Sequence, residues 1–258
     1  MTIWFILVGL SLAYVTWHNL ARNPVSWVQK LAWILVTAYT GPAGLLAYWF
    51  TCRTKKGMTH EESTQMTWQQ GVNSEMHCVA GDATGIIFSA AVVYHFSLPN
   101  GIDLIIEYCS AFLVGLFVFQ ALMMINMYRG DYWLAVRKTI FAETVSMNMV
   151  MTGMLPVMVI LMHVIPEGES PYNMSFWFIM GMATIAGGII AFPINYWLVS
   201  RKLKHGCMTL RPEGESHQHR GSMGKITGLE QFVWVAGTFA ILFLAAYLTT
   251  FVAPIKFS

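Results

Sequence analysis

Charge is what this sequence has least of. Asp, Glu, Lys and Arg make up 11% of its 258 residues, where a soluble domain carries roughly 25%. A surface so poor in charge would aggregate in water, so a water-soluble globule is excluded and lipid is the expected solvent. Cysteine is scarce too. Cys52, Cys78, Cys109 and Cys207 are scattered and form no C-x-x-C pair, which argues against a disulfide framework. Three of them, Cys52, Cys78 and Cys207, fall on the half expected to face the cytoplasm, where thiols stay reduced. The familiar catalytic signatures are missing: no phosphate-binding Walker loop, no G-x-S-x-G, no H-E-x-x-H and no dinucleotide fingerprint. No hydrolase or kinase reading is supported. The last apolar run has no lysine in its middle, so a retinal Schiff base is not expected. No basic cluster is interleaved with aromatics, so nucleic acid is not an expected partner. No internal repeat is evident, and an inverted-repeat transporter is not proposed.

What the chain has in quantity is apolar length, with 56% hydrophobic residues. Runs of about 20 apolar residues are the unit that spans a bilayer. Seven are expected, at 3–17, 31–50, 72–94, 102–127, 139–165, 174–200 and 229–252, forming one all-α transmembrane domain. The loops 51–71, 128–138 and 201–228 hold 12 of the 15 Lys and Arg residues. The positive-inside rule makes those loops cytoplasmic. Seven spans then leave the N-terminus cytoplasmic and the C-terminus extracytoplasmic, in a bacterial inner membrane. The first run lacks a basic n-region and a convincing cleavage site, so it is expected to be a retained helix and not a signal peptide. Gly41-Pro42 inside the second run predicts a kink.

The third run is the one around which the chain is organised. It opens Met76-His77-Cys78-Val79-Ala80-Gly81-Asp82-Ala83-Thr84-Gly85. A charge in hydrocarbon costs a few kcal/mol at least, so it persists only when paired, in a wet cavity or in use. Gly81-x-x-x-Gly85 permits close approach of another helix, and the fifth or sixth run is the expected neighbour. His77, Cys78 and Asp82 should therefore face the protein interior. In the fifth run Glu143, Met147, Met151, Met154, Met158 and Met162 recur at helical spacing on one face. In the sixth, Ala183, Gly187 and Ala191 suit close packing, and Asn195 lies near its end.

These residues make an expected inner site of His77, Cys78, Asp82, Glu143, Met147 and Met151, with Asn195 nearby. Thiolate and thioether ligands suit Cu(I), and imidazole is a compatible partner. The bland alternative is a hydrogen-bonded plug that fixes helix packing. The methionine stripe is either a soft ladder for Cu(I) or a flexible core filler. A second candidate site, at the outer face, gathers His18, His95 and His163 beside Glu107 and Asp103, for metal capture or haem ligation; ordinary interfacial histidines are the bland alternative. His205, Cys207, Met208, His217 and His219 in the longest loop form a weak metal-scavenging pattern.

Three segments together resemble a known family: His77-Cys78-x-x-Gly81-Asp82-x-x-Gly85, Phe141-Ala142-Glu143-Thr144-Val145-Ser146 and Phe192-Pro193-Ile194-Asn195-Tyr196-Trp197-Leu198. They resemble a bacterial integral-membrane family known as domain of unknown function 4396, over roughly 70–206. That family often carries aspartate where this chain has Glu143. Some members lie beside or are fused to copper proteins, so the resemblance implies copper handling and copper proteins as partners. The leading expectation is an integral membrane protein that transports, delivers or stores a soft metal ion, most simply Cu(I), and not a classical enzyme. The alternatives are an accessory subunit of a larger membrane redox complex and a b-type haem protein.

Overall fold

The computed structural model describes residues 1–55, 57–206 and 224–257. Cys207, Met208, His217 and His219 lie outside the described residues. Among those described, six helices are long and apolar enough to cross a membrane. They are α1 (Thr2–Arg22), α5 (Thr67–Val93), a rod from Asn100 to Tyr128, α8 (Tyr132–Val164), α9 (Met174–Ser200) and α10 (Gly228–Thr249). The rod is α6 (Asn100–Leu113), a run of wide π turns (Val114–Gln120), the short α7 (Ala121–Met124) and a final tight turn. A small helix, α4 (His60–Ser63), opens with a capping box between Thr59 and Glu62. Hydrogen bonds from the Thr59 backbone and hydroxyl hold the Glu62 carboxyl below its ordinary pKa. The protein is an all-α, multi-pass membrane protein.

The expected second span is the main correction. Residues 31–50 do not form one long helix; they belong to two shorter helices, α2 (Trp27–Thr40) and α3 (Pro42–Thr51). Gly41 between them has φ 55° and ψ −120°, a conformation open to glycine and costly for residues with a Cβ. Pro42 then starts α3, where its missing N–H costs nothing. The helices run back along one another. Trp33 packs edge-on against Tyr48 at 5.4 Å, Gln29 reaches the Cys52 sulfur, and a Cβ on Gly44 would strike the Thr40 hydroxyl. At about 1.5 Å per residue α2 is roughly 21 Å long, short of a hydrocarbon core of about 30 Å. The pair is a helical hairpin whose tip lies against Val8, in the first half of α1.

The far end of α3 returns to the end of the bundle where α1 finishes. The Tyr48 hydroxyl lies 2.8 Å from His18 Nδ1 and accepts from Asn23 Nδ2 at 2.8 Å. Asn73, near the start of α5, donates to the Thr51 carbonyl, and Gln69 donates to that of Phe50. Met1 lies at the opposite end, beside Ser175 at the start of α9. Asn100 bonds the carbonyl of Pro254 and the amide of Lys256 there. Met1 and Lys256 thus share one end of the bundle, whereas seven spans were expected to leave the termini on opposite faces. The physical reason is the hairpin, which turns back where one long helix was expected. Among the described residues every Lys and Arg except Lys256 lies towards the other end, here named the basic end.

α5 is the most enclosed of the six, with 72% of its most apolar stretch buried, against 28% for α1 and 17% for α10. At Gly81 and Gly85 its close approach is not to the fifth or sixth expected helix but to the rod. A Cβ on Gly81 would stand 2.6 Å from the Gly115 Cα, and one on Gly85 would meet the backbone of Ser110 and Ala111. The short 97–99 connection makes α5 and α6 an antiparallel pair, so their facing glycines meet first. The small residues of α9 pack as expected, with Gly187 set against Val150 and Met154 of α8.

Candidate functional site

Four helices converge on one buried polar cluster. α5 supplies Glu75, His77, Cys78 and Asp82, each 2% exposed or less. α8 supplies Glu143 and Ser146, and α9 supplies Asn195, all fully buried. The rod supplies an opening. Gly115 lies in its wide-turn segment, and a Cβ there would stand 2.7 Å from an Asp82 oxygen and closer still to a Glu143 oxygen. Two carboxylates therefore lean on the same point, at a π segment of the kind that often marks working sites.

The eighth member is Lys204, which falls within the expected cytoplasmic loop 201–228. Beyond α9 the chain reverses at Lys202, whose φ is 57°, and Leu203 N–H returns to the Leu198 carbonyl at 2.8 Å. That turn sends the Lys204 side chain back into the bundle, where it is 2% exposed. Its ammonium donates to Cys78 Sγ at 2.7 Å, Asn195 Oδ1 at 2.8 Å and Ser146 Oγ at 3.3 Å. All three of its donors are used. Burial alone would push its pKa down; Cys78 and Glu143 beside it outweigh this and hold it above the ordinary lysine value.

The Cys78 thiol in turn donates to Glu143 Oε2 at 2.8 Å. A continuous line of hydrogen bonds thus runs Lys204, Cys78, Glu143. The other Glu143 oxygen and both Asp82 oxygens are buried with no hydrogen-bond partner among the described residues, as are both His77 ring nitrogens and Glu75 Oε1. Unpartnered buried polar atoms are few in native proteins, and each calls for an explanation. Tyr108 and Asn148 form a neighbouring link, 2.8 Å from hydroxyl to Oδ1, and Asn148 continues to Thr238 of α10.

The expected inner residues are therefore all in the interior, and Cys78, Asp82 and Glu143 are brought together. Met147 and Met151 share the face of α8 that carries Glu143 and are 0% and 1% exposed. Among the described residues, however, no three His, Cys, Asp or Glu side chains converge in a way that would hold a metal ion. The Cys78 sulfur already faces an ammonium. A cation bound there would have to displace Lys204.

The expected outer set separates. Glu107 and His163 line one cavity of about 550 Å³. His95 bonds the Tyr172 hydroxyl at 3.3 Å nearby. His18 belongs to the basic end, bound to Tyr48, because α1 finishes there once the hairpin turns back. His18 cannot join His95 and His163 in one site. His205 is described and half-buried, with burial lowering its pKa.

The family model described as a domain of unknown function (DUF4396) matches residues 67–204. The chain belongs to the DUF4396 family. The matched segment begins at the first residue of α5 and ends at Lys204, so the DUF4396 portion of this protein contains every member of the cluster. α1, the hairpin and α10 lie outside it. No curated protein and no solved structure was found to match the chain.

Proposed function

We propose that this DUF4396 protein handles cations within the membrane, and that its working group is the Asp82–Glu143 pair. The pair holds a proton, or a small cation in exchange for one, with Lys204 as the fixed counter-charge. One observation carries this reading. Two carboxylates with unpartnered oxygens share one buried space, and the one ammonium beside them is held on the Cys78 sulfur, which in turn bonds Glu143. A second uncompensated carboxylate at that depth would cost several kcal/mol, so a further positive charge belongs there. The Lys204–Cys78–Glu143 line offers a proton path from the basic end. By the positive-inside rule that end faces the cytoplasm of a bacterial inner membrane.

Infrared spectroscopy of the purified full chain tests this. A carboxylic-acid C=O band is expected in cation-free buffer, with one component lost in Asp82→Asn and shifted in Glu143→Gln. No such band, together with no bound cation by elemental analysis, would sink the proposal.

A second reading is soft-metal handling, with Cu(I) as the ion. The methionine stripe favours it: Met158 and Met162 line the outer cavity, and Met154, Met151 and Met147 continue through the core to Glu143. Lys204 on Cys78 weighs against it. Copper content after anaerobic loading with Cu(I) should fall in Cys78→Ser and Met151→Leu; equal content in both would discard it.

A further inference from the structure

The cavity at the end opposite the basic loops is a site in its own right, and it does not depend on the reading of the inner pair. It measures about 550 Å³ and lies where α5, α6, α8 and the C-terminal segment meet. Cavities of this size accept small molecules. Its walls are sorted by depth. Glu169, His163 and Lys256 stand exposed at the rim, while Glu107, Met158 and Phe176 form the floor at 5%, 2% and 0% exposure. Glu107 Oε2 is buried and has no hydrogen-bond partner among the described residues, and neither has Asp103 Oδ1 one helical turn earlier. Both carboxylates line the cavity.

We infer that this cavity binds a small protonated organic amine, its ammonium on Glu107 and Asp103 and its carbon body against Met158 and Phe176. The chemistry selects this class. An anion is disfavoured, because the carboxylates of Asp103, Glu107 and Glu169 outnumber the one lining ammonium, Lys256 at the rim. A bare metal ion needs several converging ligands, and the described residues bring no three His, Cys, Asp or Glu together for one. A neutral apolar guest would leave Glu107 buried and unpaired, which is costly. An ammonium on a carbon frame answers both surfaces at once: its charge pairs the carboxylates, and its body is attracted by the aromatic and thioether floor.

The test uses the purified full chain, benzylamine as probe and benzyl alcohol as its uncharged analogue, read by titration calorimetry. Benzylammonium should bind at least about tenfold more tightly than benzyl alcohol and lose about tenfold in Glu107→Gln, a difference of roughly 1.4 kcal/mol. Should Glu107→Gln fail to fold, Asp103→Asn at the mouth carries the same expectation with a smaller loss. Equal binding of the two probes to the wild type would mean an apolar, lipid-accepting pocket and would overturn the inference. So would benzylammonium binding that neither substitution weakens.

Discussion

Replacing Lys204 with methionine puts the cluster to its hardest test. Methionine keeps length and apolar volume but removes the charge and three donated hydrogen bonds. The acceptors fare unequally. Asn195 Oδ1 keeps the Ser146 hydroxyl at 3.0 Å, and Cys78 keeps Glu143. The Glu143 and Asp82 carboxylates are left without any cation in reach. Breaking a buried pair by removing one partner typically costs about 3–5 kcal/mol, and that is the expected loss of stability at neutral pH. The sign of its pH dependence follows from linkage. In the variant the carboxylates can be buried only as neutral acids, so the native state binds more protons than the unfolded state. Stability of Lys204→Met should then rise as pH falls, while the wild type responds less. Adding Glu143→Gln removes the orphaned charge, so the double variant should recover much of the loss. Denaturant or thermal unfolding in detergent, at several pH values, measures all three proteins. A Lys204→Met variant as stable as the wild type, or a loss that neither lower pH nor Glu143→Gln relieves, would refute the charge argument.

Other expectations are equally concrete. Gly115→Val should destabilise by roughly 1–3 kcal/mol through overpacking, since its Cβ meets both carboxylates, whereas Gly237→Ala, with nothing within 4 Å, should be tolerated; equal behaviour in unfolding assays would contradict the packing at the wide turn. Reporter fusions at the two termini should both be active on the extracytoplasmic side, and an N-terminal fusion active in the cytoplasm would restore a seventh crossing. Tyr48→Phe deprives His18 and Asn23 of their shared hydroxyl and should cost about 1–3 kcal/mol; unchanged stability would mean that the hairpin is not tied to α1 at that point.

Some of this was legible in the residues and some was not. Polar groups inside an apolar run must go to the interior, so the burial of His77, Cys78, Asp82 and Glu143 followed from composition. The helical period likewise put Glu143 and the methionines on one face. Lys204 was hidden because it follows Arg201 and Lys202, and a basic run after an apolar helix has the pattern of a cytoplasmic loop. Only the reversal at Lys202 turns its side chain inward, and a left-handed lysine has no sequence signature. The hairpin was hidden for a related reason. Residues 31–50 are long and apolar enough to span, and Gly41-Pro42 is as compatible with a kink as with a full turn. What decides for the turn is tertiary: Trp33 against Tyr48, and Tyr48 against His18 and Asn23. One missed turn there moved His18 and the N-terminus to opposite ends from those expected.

The methionine stripe runs from the outer cavity towards the inner cluster as packed side chains. Met158 and Met162 border the outer cavity, yet Met147, Met151 and Met154 are packed into the main core. Passage along α8 would require these side chains to repack. Methionine is suited to that, because its unbranched, three-bond side chain exchanges rotamers at little cost where valine or isoleucine would be locked. The facing surface of α9 comes close at this point, since a Cβ on Gly187 would stand 2.6 Å from the Met154 side chain. A cation entering at Glu107 and one held at Asp82 and Glu143 would thus be separated by a deformable apolar plug. Exchange between them would be governed by how often that plug opens, and the two carboxylate sites could be occupied in turn with no standing leak of protons.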